Sequence, residues 1–314
     1  MVTTQTQNPA NGPAHGTVLP FMFDNMPIRG KVVRIEHIND HVKSLLLGDK
    51  AIADLLAQML VSATVMVYDL KEKANVTLQV HSQGKLPLLV AKCSHKGTVR
   101  AYAQKDHKEP KPMSADDVAK STQDEGMFVI SVDFGPGTTP YQSVVPIKGG
   151  NISSAMEDYF ARSAQLDTHL KVFTETDKAG RTSCGAMFLQ AMPPQGGDAA
   201  LPAHKEKVSA DDWRRMGIIL STLQPAEILP GKLSEKDVLV RLFAEDTVRV
   251  FPHQELTFRP DSTRQRMAEA LVSLGEEEVR NIIEQEGGKL TIEDEFSGVA
   301  ETFTLTDIDT IFKS

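Results

Sequence analysis

The residues of this 314-residue chain whose types and spacing could do chemistry are few. Two thiols, Cys93 and Cys184, could close one disulfide. Each lies beside an apolar run with strand character in a chain without an export-type leader, so two reduced, buried cysteines are expected, and neither has a partner at metal-ligand spacing. His37 and His41 stand four apart, as two ligands on one helix would, but they flank Asn39-Asp40, which reads as a turn, and surface residues are expected. Glu293, Asp294 and Glu295, with His253, offer oxygen and nitrogen donors for a hard cation; a solvated acidic turn is the plainer reading. No run has the glycine spacing of a phosphate loop, and no serine is flanked by the glycines of a nucleophile elbow. Asp133-Phe134-Gly135 matches a kinase tripeptide, yet the lysine strand and catalytic loop that give it meaning are missing. The expectation is therefore not an enzyme, with no catalytic residue, no cofactor and no metal.

Composition narrows the partners. A net charge of −8 and a pI near 5.6 disfavour nucleic acid, whose binding draws on clustered Lys and Arg. The densest basic run, Lys105 to Lys111, is interrupted by Asp, Glu and Pro and reads as a solvated loop. Residues 1–20 are polar, with neither the basic start nor the apolar stretch of a secretory signal, and are expected as a disordered tail. No uninterrupted apolar run approaches the ~20 residues of a membrane span. A cytoplasmic protein without membrane contact is expected.

The elements that would position any site follow from periodicity. From Asp49 to Leu60, Ile52, Leu55, Leu56, Met59 and Leu60 form one helical face, with Ala53 and Ala57 allowing close packing. Val76 to Val80 alternates with period two, Gln83-Gly84 supplies a turn, and Leu86 to Val90 follows as its partner. Thr98–Ala103, Met127–Val132, Tyr141–Val145 and Gly185–Gln190 read as further strands. Ser154-Ala-Met-Glu157 has capping-box spacing for a helix running through Leu166. From Gln195 to Glu206 the composition shifts to Gly, Pro, Ala and charge, a linker signal. Beyond it, Asp211 or Asp212 would cap a helix with Trp213, Met216, Leu220 and Leu223 on one stripe, which Ile218 and Ile219 widen, and Ser234 would cap a second helix. Thr263 would cap a third, bearing Met267, Ala270, Leu271 and Leu274. A fourth would hold Val279, Ile282 and Ile283 and end at Gly287-Gly288.

The order and spacing of Leu78-Gln79-Val80, Gln83-Gly84, Leu88-Leu89-Val90, Val99-Arg100, Tyr141-Gln142, Tyr159-Phe160, Leu189 to Pro193 and Phe258 to Phe303 resemble the 33-kDa chaperonin family, the redox-regulated heat-shock holdases of bacteria, over about residues 20–312. The resemblance implies an α+β fold: a tail over 1–20, a mixed sheet-and-helix domain over 21–196, a helical linker over 197–246, and a small α+β module over 247–314. In that family four cysteines of the module hold one zinc; the matching positions here are Pro260, Ser262, Asp294 and Ser297. A cysteine-free module without metal is expected, its stability resting on apolar residues that include Leu274 and Phe296. The resemblance further implies an ATP-independent holdase acting in the stress response, with the thiol switch lost and activity either constitutive or switched by heat. Unfolded or misfolded client proteins are the expected partners, a homodimer is compatible, and the stripe of Trp213, Met216, Ile219, Leu220 and Leu223 is the candidate client-binding surface. The alternative is a non-chaperone adaptor that keeps the fold.

Overall fold

The computed structural model describes residues 15–42, 45, 49–70, 73–82, 85–105, 112–123, 126–135, 137–147, 151–194, 201–231, 233–258, 264–294 and 299–312. Strands β1 (Gly16–Phe23) and β2 (Ile28–Ile35) open the fold, and helix α1 (Lys50–Val67) follows. Next come β3 (Asn75–His81), β4 (Leu88–Ser94), β5 (Thr98–Gln104), α2 (Ala115–Gln123), β6 (Met127–Asp133) and β7 (Tyr141–Pro146). After α3 (Ile152–Tyr159), β8 (Thr168–Thr176) and β9 (Thr182–Ala191) form a hairpin. The linker carries α4 (Ala210–Ser221), α5 (Pro225–Ile228) and α6 (Glu235–Leu242), and then β10 (Val248–Val250) and β11 (Gln254–Phe258).

Among the described residues these eleven strands make one sheet in the order β7-β6-β3-β4-β5-β11-β1-β2-β9-β8, with β10 added beside β1. Strand β11 joins the two halves. It runs antiparallel to β1, where Leu256 faces Gly16, and parallel to β5, where Thr257 faces Thr98. Two of the expected boundaries fall elsewhere as a result. Strand β1 begins at Gly16, inside the stretch expected as a tail, and residues 248–258 pair within the large sheet although 247–314 was expected as the separate module.

Helix α1 is the core of one face. Its 18 residues have a mean hydropathy of 1.5, enough by length and composition to cross a membrane, which the sequence reading did not anticipate; the helix is 78% buried against the sheet. Ile52, Leu56, Met59 and Leu60 pack with Val18, Val33, Leu78, Phe128 and Phe188. Asp49, fully buried at its start, accepts hydrogen bonds from Lys105 Nζ (2.6 Å) and the Met113 amide (3.3 Å).

The opposite face of β1, β2 and β9 is equally apolar. Leu19, Phe21, Phe23, Ile28, Val32, Met187 and Leu189 form a second core with the linker helices. These strands are covered on both sides and so lack the polar alternation of a half-buried strand. Local caps also differ from expectation. Asn151, not Ser154, caps α3, because its side chain accepts from the Ser154 amide, and Glu157 turns away to accept from the Leu170 amide (2.8 Å). The helical path then widens into a π turn over Phe160–Ala164. Ser209, rather than either aspartate, caps α4 by accepting from the Asp212 amide (3.0 Å); Ser234 caps α6 as expected.

The C-terminal part comprises α7 (Arg264–Leu274), α8 (Glu276–Gln285), the hairpin β12 (Lys289–Asp294) and β13 (Val299–Thr304), and α9 (Leu305–Ile311). Gly275, at φ 94°, makes the sharp turn between α7 and α8, in a region of backbone space that side chains rarely adopt. Met267, Leu271, Val279, Ile283, Phe303 and Ile308 form a core separate from the two sheet cores. Leu274 was expected within it but is 56% exposed, because it lies in the last turn of α7 beyond the packed stripe. Pro260, Ser262, Thr263, Phe296 and Ser297 lie outside the described residues.

Candidate functional site: the docked linker and the appended module

Helix α4 presents the expected stripe, and the stripe faces inward. Met216, Leu220 and Leu223 are buried, Trp213 and Ile219 are half-buried against the same core, and Ile218 on the opposite side is 61% exposed. Val238, Leu239 and Leu242 of α6, with Phe243 just after it, complete the cover over Leu19, Phe21, Val32 and Met187. Phe243 packs edge-on against Phe23 at 4.9 Å and lies near Phe21 at 6.0 Å. Gly30 permits this arrangement, since a Cβ there would lie 2.2 Å from the Phe21 ring. Burial of each large apolar side chain contributes ~1.5–3 kcal/mol before ordering entropy is subtracted. The linker is therefore a roof that hides an extended apolar sheet face.

Polar contacts pin the roof at its ends. Lys171 Nζ on β8 donates to the carbonyls of Leu220 (3.4 Å), Ser221 (2.7 Å) and Leu223 (3.1 Å), a cation at the negative end of α4. Arg34 on β2 donates from Nε to the Ile228 carbonyl (2.8 Å) and from its terminal amine to the Glu227 carbonyl (3.2 Å), and it faces the Glu235 carboxylate at 3.6 Å. Burial alone would raise the Glu235 carboxyl, but hydrogen bonds from the Thr17 hydroxyl (2.8 Å) and its own amide, with the Arg34 charge, hold it below the ordinary glutamate range. Asp246 is also held low despite burial, by Arg215 (2.7 Å) and Asn25 (3.0 Å). Buried His204 bonds through Nε2 to the Phe23 carbonyl (2.8 Å) and ties the linker entry to β1. The His169 ring on β8 stacks on Trp213, with centroids 4.4 Å apart and planes at 8°. Gly217 makes room for that ring, because a Cβ there would stand 2.9 Å from His169 Nε2.

The other sequence candidates separate. Cys93 in β4 and Cys184 in β9 are free and fully buried, and burial pushes each thiol up to about 12. Asp133 Oδ1 accepts from the Gly135 amide (2.8 Å), so the kinase-like tripeptide is a local turn. His37 sits in the left-handed region at the head of a short 3₁₀ turn, whereas His41 stacks on Phe258 (4.7 Å, 10°). His41 was expected as a plain surface residue; it instead packs on the strand that joins the two half-sheets. His253 faces Glu235 at 3.7 Å and so belongs to the linker anchor.

Asp294 ends β12, and both its oxygens accept from one Arg100 amine on β5, at 2.8 and 3.1 Å. The positions Pro260, Ser262, Asp294 and Ser297 offer one carboxylate, two hydroxyls and no thiolate, and the carboxylate is engaged by a cation. That donor set does not fit zinc in a closed tetrahedral site. Among the described residues no group of three or more His, Cys, Asp or Glu could hold a metal ion.

Sequence reasoning missed the anchors Arg34, Lys171, Arg215 and Arg100. Their partners are backbone carbonyls and distant carboxylates, which leave no local pattern.

The architecture is that of an α+β protein whose apolar sheet face is roofed by a helical linker and whose C-terminal module hangs from an internal strand. The profile of the Hsp33 protein family matches residues 16–304, and the chain belongs to that family. It is 31% identical over 295 residues to the 33 kDa chaperonin of Pseudomonas aeruginosa (strain UCBPP-PA14), covering 93% of each chain. It is likewise 31% identical over 293 residues to the 33 kDa chaperonin of Neisseria meningitidis serogroup B, covering 93% of this chain and 90% of that one. The fold matches the crystal structure of the 33 kDa chaperonin from Thermotoga maritima with a TM-score of 0.71 at 21% identity, over 96% of this chain and 98% of that one. The family and its named relatives place the chain among chaperones.

Proposed function

We propose that this protein is an ATP-independent holdase of the cytoplasm that captures unfolded or misfolded chains on apolar surface which its own linker covers. The observation that carries the reading is the mutual burial of the Met216, Leu220 and Leu223 stripe and the Leu19, Phe21, Val32 and Met187 face. When the roof lifts, both surfaces become exposed apolar area of the kind that marks interaction sites. Trp213 and Ile219, half-buried at the margin, are the first of the stripe to meet a client. In this reading residues 197–246 are the moving cover and the module beyond β11 is its control element. The protein neither catalyses a reaction nor binds nucleic acid or membrane, and it carries no zinc.

The thiol trigger of the family is lost in this reading. The four module positions lack cysteine, and the two remaining thiols are buried and held protonated. Heat, which melts the least stable unit first, is the trigger. The test is light scattering from a thermally unfolding client, across temperature, with and without peroxide. Suppression that rises with temperature and ignores peroxide supports the reading; no suppression in either condition leaves the alternative, an adaptor that retains the fold.

A further inference from the structure

We propose that Arg100 and Asp294 form an electrostatic latch that holds the C-terminal module against the sheet, so that the position matching a zinc ligand elsewhere in the family now serves as the point of attachment between the module and the rest of the molecule. The two side chains belong to different bodies. Arg100 lies on β5 beside β11, and Asp294 ends β12 in a module with its own core. Among the described residues it is the one ion pair between residues 264–312 and the rest of the chain; Arg264, Arg280, Glu276, Glu301, Asp307 and Asp309 pair with one another inside the module.

The latch has the burial that a surface pair lacks. The side chains are 12% and 16% exposed, so water and salt screen them less than an exposed pair. Among the described residues the apolar cores do not merge across the boundary: the module cluster contains residues from Met267 to Phe312 and none from the sheet. Among the described residues this pair is thus the charged contact that holds the module to the sheet, and its loss releases the module with no unfolding of its core.

The client-binding consequence rests on the proposed holdase function, but the latch itself is read without any client. Spin labels at Ser273→Cys and Lys96→Cys, both exposed sites, report the distance between module and sheet in the full chain, because native Cys93 and Cys184 are buried. The wild type is expected to give one narrow distance distribution. Arg100→Gln and Asp294→Asn should each broaden and lengthen it, and the double variant should do so no more than either single, since both remove one interaction. Hydrogen exchange runs alongside: amides of α7, α8 and β12 should stay protected in the variants, because the module core and the β12–β13 ladder survive release, and loss of that protection in Arg100→Gln would mean that the pair holds the module's fold and not its docking. If Asp294→Asn unfolds the module, Arg100→Gln decides, because it leaves the module's own sequence untouched. Distributions unchanged in Arg100→Gln, effects that add in the double variant, or a broad distribution in the wild type would each overturn the latch. An opened module without altered client protection would leave the latch standing and count against the holdase coupling.

Discussion

Gly185 and Ile228 meet backbone to backbone: a Cβ on Gly185 would lie 2.4 Å from the Ile228 carbonyl oxygen. The same carbonyl accepts from Arg34 Nε at 2.8 Å, so the end of α5 is seated on β9 and bonded to β2 at one atom. Gly185→Ala pushes against backbone, which cannot rotate aside as a side chain can. The expected result is displacement of α5, destabilisation by ~1–3 kcal/mol as for other overpacked sites, and client protection at lower temperature than in the wild type. Hydrogen exchange over residues 225–242 with a parallel aggregation assay measures both. Unchanged exchange in that segment would mean that the linker does not depend on this contact.

Acid should lift the same roof. Glu235 and Asp246 titrate below their ordinary values of 4.5 and 3.8 in the folded protein. Carboxyls with depressed folded values contribute stability that is complete above the unfolded value and is lost as pH falls through the folded value. Linker docking should thus draw on these groups in full at neutral pH, vary little with pH there through them, and weaken below about pH 4.5. Trp213 fluorescence, through its stack on His169, follows the roof. Glu235→Gln should flatten part of the acid transition, and a transition identical to wild type would remove Glu235 from this role.

The two thiols predict a null response to oxidant. With Cys93 and Cys184 buried and pushed up to about 12, the thiolate that reacts with peroxide or disulfide reagents is scarce at neutral pH. A thiol reagent should label the native protein only as fast as it opens, and the double serine variant should show the same peroxide response as the wild type. Rapid labelling of the folded protein, or loss of a peroxide-dependent activation in the double variant, would assign these cysteines a switch.

Much of the half-buried architecture was legible in the sequence, because β3, β5 and β6 carry the clean period that one covered face imposes and α1 carries a broad apolar face. Strands β1 and β2 were not, since Phe21 and Val32 face the linker while Val18 and Val33 face α1, and double burial erases the period. The stripe from Trp213 to Leu223 was readable as apolar, but that it roofs Met187 and Phe21 depends on contacts far apart in the chain. The loss of module cysteines was plain from residue types; the engagement of Asp294 by Arg100 was not, because an ion pair across 194 positions has no local signature.

The most direct measurement of the central claim is photo-crosslinking from beneath the roof. Photo-methionine at Met216 and Met187, which lie in the shared core, preserves side-chain size and reports what that core touches. Irradiation at room temperature should yield crosslinks within the chain, between α4 and the sheet. After heating with an unfolding client, the same two positions should capture client peptides, equally with and without peroxide. If the client is held soluble while Met216 and Met187 crosslink only to their own chain, the covered face is not the client-binding surface.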